Sequence, residues 1–287
     1  MPELPEKWGL PDPSTMAEIP DFLDFCQAAC RRGGEILVRR LGGARVREKH
    51  PRDYVTQADI ESQQAIESMI HQKFPHHAIV GEEETAQAAD RAEPTSPFCW
   101  WIDPLDGTTN YIHQLRSFAV SVALSWHGQP IAAAVYDPLL NEMYSAALER
   151  DSELNGQPIR TSPQTELDQA LVACSFSNQV RRDSPELERF TRILCDTRAT
   201  VRRLGSAALN LCYVACGRLD AYWATSVNSW DVAAGALILQ QAGGTIRHLN
   251  GSDFRIAEPQ FLATSTKALH ASLNPLLDLG SPASPTA

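Results

Sequence analysis

Residues 100–111 read WWIDPLDGTTNY, and this stretch decides the fold and the chemistry that we expect. The bulky run from Phe98 to Ile102 is typical of a buried strand. Two carboxylates, Asp103 and Asp106, follow that run directly. Buried carboxylates are destabilising unless a cation compensates their charge. The stretch therefore predicts a strand that carries two acids to a cation site.

The residues around these acids suit a phosphate group. Gly107 lets the backbone approach a ligand closely, and its N–H and that of Thr108 can point at an anion. The Thr108 hydroxyl can orient a water molecule or pass on its proton, and the carbonyl of Leu105 can bind a cation. Taken alone, the motif is also consistent with a plain Asp-Gly turn, in which Asp106 caps a helix.

Three further groups of acidic residues lie at the ends of predicted helices and strands, where side chains converge on clefts. They are Asp53 with Asp59, Glu82 with Glu83, and Asp231 at the start of a helix. Each is open to a structural interpretation as a cap or a solvated turn. Because carboxylate oxygens are the ligands that Mg²⁺ prefers, their conjunction favours a metal site.

Composition excludes several classes of protein. The chain has 287 residues and a net charge of −10, which argues against a nucleic-acid partner or a membrane surface. Its start lacks the pattern of a signal peptide, and no apolar run approaches a membrane span. The seven cysteines form no CxxC, so we expect reduced thiols and a cytoplasmic location.

The order of predicted elements indicates two halves. We expect flexible ends at 1–19 and 276–287, an α+β half at 20–155 with most acids, and an α/β half at 156–275 with Asp231. Strands run together in the first half and alternate with helices in the second, which predicts an α/β (α+β) layered sandwich. The expected helices are 21–41, 58–73, 184–194, 206–217 and 229–244. The expected strands are near 77–81, 98–102, 118–148 (three strands), 170–176, 200–206, 218–224, 245–249 and 260–265.

Five blocks of the sequence resemble the inositol monophosphatase family of Mg²⁺-dependent, lithium-sensitive phosphatases. The blocks are DYVTQAD (53–59), VGEEE (80–84), WIDPLDGTTNYIH (101–113), RLGSAALNLCYVACGRLDAYW (203–223) and WDVAAGALILQQAGG (230–244). The resemblance covers about residues 20–265. It implies an αβαβα sandwich of the inositol monophosphatase and sugar phosphatase type, a small phosphorylated metabolite as substrate, and a homodimer to which residues 118–124 contribute.

The resemblance also implies metal ligands for two to three Mg²⁺ ions in each site. Glu82 would bind the first metal and a weaker third one, and Asp103 would bridge the first and second. The Leu105 carbonyl would bind the first metal, and Asp106 with Asp231 would hold the second.

The remaining roles follow from the same resemblance. The catalytic set is Asp59 and Thr108, which activate the attacking water, together with Glu82. The phosphate and substrate set is Asp106, Gly107, Thr108, Gly205, Ser206, Ala207 and Asp231. The supporting residues are Asp53, Glu83 and Lys49.

Two departures from the family leave the substrate open. Ala224 stands where members that act on inositol carry an acid, and residues 150–153 (RDSE) replace a small Gly-Ala pair. Three alternatives follow: an inositol-1-phosphatase of relaxed specificity, the same hydrolysis on another ester, or a non-catalytic metal-responsive binding protein. The other esters are histidinol phosphate, fructose 1,6-bisphosphate and a 3′-phosphonucleotide. A second phosphate would need basic residues, for which the candidates are Arg181, Arg182, Arg202 and Arg203.

Overall fold

Two β-sheets and a small hairpin form the framework of the chain. The computed structural model describes residue 11 and residues 13–43, 45–50, 53–85, 96–177 and 179–279. The helices are α1 (Pro13–Arg40), α2 (Gln57–Lys73), α3 (Glu82–Thr85), α4 (Thr108–Ile112), α5 (Pro185–Asp196), α6 (Ala207–Ala215), α7 (Ser229–Gln241) and α8 (Lys267–Leu277). The first strands are β1 (Val46–His50), β2 (Asp53–Thr56), β3 (Ala78–Gly81), β4 (Phe98–Asp106), β5 (Ala119–Trp126), β6 (Gln129–Asp137) and β7 (Glu142–Ala147). The others are β8 (Glu153–Leu154), β9 (Gln157–Pro158), β10 (Leu171–Ser175), β11 (Thr200–Arg202), β12 (Ala221–Ala224), β13 (Thr245–His248) and β14 (Phe261–Thr264).

The larger sheet has the order β3-β4-β5-β6-β7-β8-β9 and is antiparallel except for the β3–β4 pair. The smaller sheet has the order β11-β10-β12-β14-β13. Its strands β10, β11 and β12 are parallel, so their carboxyl ends lie at one edge. Ligands bind preferentially in the crevice outside such an edge.

Helices cover both sheets and give five layers. Helices α1 and α2 pack against one face of the larger sheet, α6 and α7 lie between the two sheets, and α8 packs with α5 on the outer face of the smaller sheet. Three apolar clusters fill the spaces between these layers, in agreement with the expected αβαβα sandwich. No helix of the described residues has the length and apolar character needed to cross a membrane.

The expected flexible start was wrong for residues 13–19, which belong to α1. Pro13 opens the helix, where its missing N–H leaves no acceptor unsatisfied. Ile19 is buried, and Met16 packs against the same apolar cluster, so the core holds these turns although Pro20 lies inside the helix. The expected flexibility of residues 1–10 and 12 lies outside the described residues.

Helix α8 was not predicted, and it places residues 276–277 in a helix rather than in a tail. Thr266 caps this helix by accepting a hydrogen bond from the N–H of Leu269 at 3.1 Å, and Leu269, Leu273 and Leu277 are buried. Residues 280–287 of the expected tail lie outside the described residues.

Strand β5 corrects the expected position of a dimer contact. It pairs with β4 and β6 along its length, and its residues from Ala119 to Ser125 are buried within the single chain. Residues 118–124 therefore belong to the core, because a strand covered on both edges and both faces presents no surface to a second chain.

Candidate active site

Strand β4 ends with Asp103 and Asp106, which are 2% and 8% exposed. The pairing of β4 with β5 is irregular between these two residues, because Pro104 interrupts the ladder. The Asp103 carboxylate accepts a hydrogen bond from the Leu105 N–H at 3.0 Å, and Ser62 donates to the Pro104 carbonyl at 3.1 Å. These contacts fix the turn that carries both acids.

Asp59 is held in the first turn of α2 by a capping box. Its Oδ2 accepts hydrogen bonds from the Thr56 N–H at 2.9 Å and the Thr56 hydroxyl at 2.6 Å. Its Oδ1 lies 3.3 Å from Oγ1 of Thr108, as the family resemblance implies. One carboxylate oxygen therefore anchors the side chain, while the other faces the Thr108 hydroxyl.

Glu82 and Glu83 follow β3 at the start of α3. Gln63 accepts a hydrogen bond from the Glu83 N–H at 3.1 Å, which holds this turn against α2. Carboxylate oxygens of Asp59, Glu82 and Glu83 lie within 4.8 Å of one another. Lys49 Nζ lies 3.1 Å from Glu82 and 2.6 Å from Glu83.

Asp231 approaches from the other half of the chain. It occupies the third position of α7 in a capping box with Asn228, whose N–H donates to Asp231 Oδ2 at 2.7 Å. The charges of Asp231, Glu82 and Asp106 all help to raise the pKa of the Asp103 carboxyl, after burial as the largest cause. Asp231 therefore completes a group of six acids, here called the acidic cluster: Asp59, Glu82, Glu83, Asp103, Asp106 and Asp231.

Asp106 is engaged by the beginning of α6. Its Oδ2 accepts hydrogen bonds from the Ser206 hydroxyl at 2.5 Å and the Ala208 N–H at 2.7 Å, and its Oδ1 accepts one from the Ala207 N–H at 3.1 Å. Ser206 is fully buried. Ser206 and Ala207, which the family resemblance implies for the substrate side, both direct polar groups at Asp106.

Gly107 stands between the acids and α4 with a φ of 94°. A Cβ there would lie 2.8 Å from the Ser117 carbonyl and 3.3 Å from the Gly205 carbonyl, so only glycine fits. Thr108 follows at the start of α4, and its hydroxyl also lies 3.1 Å from the Leu105 carbonyl. Gly205 is thus a close neighbour of the expected phosphate loop.

Burial raises the pKa values of four acids of the cluster. Burial is the largest cause in each case, and it raises the pKa to about 6 for Asp59 and Asp106, about 7 for Asp231 and about 8 for Glu82. Hydrogen bonds from Ser206 and the α6 backbone oppose this shift at Asp106. Buried carboxyl groups with raised pKa values are characteristic of a site that binds a cation.

The donor set fits a hard divalent cation. The acidic cluster offers only oxygen donors, and Lys49 supplies one positive charge against six carboxyl groups. Neither a histidine nor a cysteine belongs to the metal-capable group found among the described residues. The carboxylate oxygens that lie close enough to share one ion are those of Asp59, Glu82 and Glu83. Asp103, Asp106 and Asp231 are further acids of the cluster that could hold a metal beside them.

The structure brings together the acidic cluster, Thr108 and Lys49. Asp53 begins β2, but its side chain lies outside the described part of the chain. Sequence reasoning missed the residues that position the acids, which are Thr56, Ser62 and Gln63. Only the Thr56 contact has a sequence signal, since Thr56 and Asp59 have the spacing of a capping box.

Comparison with known proteins shows the family of the chain. The model of the inositol monophosphatase family matches residues 20–279. A Nus factor SuhB of Pseudomonas aeruginosa is 38% identical over 258 residues, which cover 88% of this chain and 94% of that protein. Inositol monophosphatase 2 of Solanum lycopersicum is 36% identical over 262 residues, which cover 89% of this chain and 98% of that protein.

A solved structure shows the same fold. The inositol monophosphatase of Anabaena (Nostoc) sp. PCC 7120 superposes with a TM-score of 0.80 at 34% identity and covers 92% of this chain and 98% of its own. Members of this family are metal-dependent phosphoric monoester hydrolases. The chain belongs to the inositol monophosphatase family and is a phosphoric monoester hydrolase.

Proposed function

We propose that the chain is a Mg²⁺-dependent phosphomonoesterase that hydrolyses a small phosphate ester in the manner of an inositol-1-monophosphatase. One observation carries this proposal: the Thr108 hydroxyl lies 3.3 Å from Asp59 at the edge of the acidic cluster. A hydroxyl and a carboxylate in contact beside a cation site can together orient water and accept its proton.

The roles of the chain's own residues follow from their contacts. Gly107 and Thr108 begin α4 and face the phosphate with backbone N–H groups. Thr108 positions the attacking water, and Asp59 Oδ1 takes up the proton through the Thr108 hydroxyl. Bound Mg²⁺ supplies positive charge that lowers the pKa of water and offsets the charge of the ester. Thr56 keeps Asp59 in place through two hydrogen bonds to Oδ2.

We propose two to three Mg²⁺ ions per site, as the family resemblance implies. The net charge of six ionised carboxyl groups and one lysine lies midway between the charges that two and three divalent ions compensate. The contacts between Lys49 and Glu82 favour the lower number. Asp106 and Asp231 come from opposite halves of the chain, so the second metal would join the two halves.

The identity of the alcohol stays open between the alternatives. Ala224 is fully buried at the end of β12 and offers no acceptor for a polyol hydroxyl, which weakens the case for inositol 1-phosphate. Arg202 and Arg203 are exposed at the carboxyl edge of the smaller sheet, and Arg203 stacks 5.2 Å over the Phe176 ring. This placement supports esters with a second anionic group, such as fructose 1,6-bisphosphate.

A phosphate-release screen over about a hundred small esters tests the proposal. We expect release that requires Mg²⁺ and is abolished by chelation, with inositol 1-phosphate, histidinol phosphate, fructose 1,6-bisphosphate and a 3′-phosphonucleotide as the key members. The Asp59→Asn variant, which is close to isosteric, controls for contaminating phosphatases. Absence of release from every ester, with Mg²⁺ bound, would favour the metal-responsive binding protein.

We also propose a cytoplasmic homodimer. Val38, Leu115 and Leu140 are large apolar side chains that are 46%, 58% and 49% exposed, which is consistent with a covered surface in an assembly. All seven cysteines are free, as expected in a reducing compartment. Sedimentation equilibrium measures the mass, and a value of one chain at micromolar concentration would contradict the dimer.

A further inference from the structure

The carboxylate of Asp106 belongs to one half of the chain but is held by the other. Asp106 ends β4 in the larger sheet, whereas Ser206 and the N–H groups of Ala207 and Ala208 begin α6, about a hundred residues later. The shortest of the three contacts is that of the Ser206 hydroxyl, at 2.5 Å. A hydrogen bond to an ionised acceptor is stronger than one between neutral groups.

The proton of the Ser206 hydroxyl has one acceptor. Its oxygen already accepts a hydrogen bond from the Leu209 N–H at 3.2 Å, as the N-cap of α6. Because Ser206 is fully buried, water does not compete for its proton. The hydroxyl therefore points at Asp106 Oδ2 and fixes the plane of the carboxylate.

Counting acceptor positions shows what remains for a cation. A carboxylate offers about four lone-pair positions, two on each oxygen. The beginning of α6 occupies both on Oδ2, through Ser206 and Ala208, and one on Oδ1, through Ala207. Oδ1 therefore keeps more acceptor capacity than Oδ2.

We propose that Ser206 is a positioning residue that fixes the orientation of the Asp106 carboxylate, which would hold the metal. The inference rests on the proposed function, in which Asp106 holds the second metal. Without the hydroxyl, the carboxylate can rotate about its last bond and exchange its two oxygens, so the metal loses a preorganised ligand.

A purely structural role of Ser206 is the competing explanation, since an N-cap stabilises its helix. Thr266 provides a matched control. It caps α8 through the same contact, from the Leu269 N–H at 3.1 Å, and its own hydroxyl donates to the Gln164 carbonyl at 2.8 Å. Helix α8 lies on the outer face of the smaller sheet, away from the acidic cluster.

The test compares Ser206→Ala, Ser206→Gly, Ser206→Thr and Thr266→Ala in the full chain. Calorimetric titration with Mg²⁺ alone gives the affinity, and thermal unfolding gives the stability. We expect Ser206→Ala to weaken Mg²⁺ binding by about 10–100-fold, the range typical of groups that orient metal ligands. Ser206→Thr, which keeps a hydroxyl, should keep the Mg²⁺ affinity of the wild type. Thr266→Ala should lower the unfolding temperature without changing the Mg²⁺ affinity.

A further variant and a kinetic measurement separate the positioning role from a purely structural one. Ser206→Gly retains a good N-cap residue but loses the hydroxyl, so it should weaken Mg²⁺ binding even if Ser206→Ala folds poorly. For the active enzyme, the Mg²⁺ concentration for half-maximal rate should rise more than kcat falls. Equal Mg²⁺ affinity in wild type, Ser206→Gly and Ser206→Ala would overturn the proposal. The calorimetry measures Mg²⁺ binding without substrate. Failure of the proposed hydrolysis can therefore be distinguished from failure of the role proposed for Ser206.

Discussion

The ammonium group of Lys49 lies 2.6 Å from the carboxylate of Glu83, and the same group lies 3.1 Å from Glu82. The Lys49 side chain is only 9% exposed. Burial alone would lower its pKa, but the charges of both glutamates outweigh burial and raise it, so Lys49 stays charged. A fixed positive charge therefore shares Glu82 with the expected first metal.

Removal of this charge should strengthen metal binding. In Lys49→Met we expect Mg²⁺ affinity to rise about tenfold, because a competing cation is lost, while the metal-free protein becomes less stable. Lys267→Met, at the exposed start of α8, removes an equal charge far from the site. Calorimetry and thermal unfolding give both quantities. Weaker Mg²⁺ binding in Lys49→Met would instead show that Lys49 organises the glutamates.

Asp103 is the acid whose loss should matter most to turnover. Asp103→Asn should lower kcat/KM by more than about 100-fold, because loss of a ligand exceeds the effect of losing a group that orients one. The same change should raise the unfolding temperature of the metal-free protein, since burial and three neighbouring charges oppose ionisation of Asp103. Normal turnover in this variant would contradict its assignment as a ligand.

Thr108 separates chemistry from metal binding. Thr108→Val keeps the shape but loses the hydroxyl that lies between Asp59 and the Leu105 carbonyl. We expect kcat to fall by about 10²–10⁴-fold, the usual contribution of a proton-transfer group, while Mg²⁺ affinity changes little. Thr108→Ser retains the hydroxyl and should keep most of the activity. Stopped-flow phosphate release and calorimetry measure the two effects, and an active Thr108→Val would exclude the relay.

The stability of the metal-free protein should fall as the pH rises. Burial raises the pKa values of Asp59 and Asp106 to about 6, Asp231 to about 7 and Glu82 to about 8, above those of unfolded carboxyl groups. The folded state then binds more protons than the unfolded state, and this stabilisation is lost as the pH rises through these values.

Between pH 6 and pH 8.5 we therefore expect the unfolding temperature in a chelator to fall by roughly 5 °C or more. Saturating Mg²⁺ should remove this dependence, because the cations compensate the ionised acids. Differential scanning calorimetry across this pH range, with and without Mg²⁺, makes the comparison. A metal-free protein that becomes more stable with pH would show that the acids are solvated rather than buried together.

Lithium should inhibit hydrolysis, as the family resemblance implies. Li⁺ carries half the charge of Mg²⁺, so a site completed by Asp106 and Asp231 would hold it without giving the ester the same compensation. We expect inhibition at millimolar Li⁺. Increased Mg²⁺ should not strengthen this inhibition, because the two ions compete for the same site. The same concentration of KCl controls for ionic strength. Full activity at high millimolar Li⁺ would contradict a second metal site formed by Asp106 and Asp231.

Much of the fold was predictable because the decisive patterns are local. The apolar run before Asp103 and the position of Asp231 at the start of a helix are contained in a few consecutive residues. Helix α8 and the first turns of α1 were missed, because packing against distant residues stabilises them more than their own sequence does.

The sequence by itself determined which residues we propose for the chemistry: the acids, Gly107 and Thr108 stand in motifs whose residue types and spacing are local. Only the tertiary structure decided how they cooperate. It directs Ser206 at Asp106 and places Lys49 on Glu82 and Glu83. These contacts join segments that lie tens of residues apart, and their partners follow from the packing of whole layers, which no local pattern encodes.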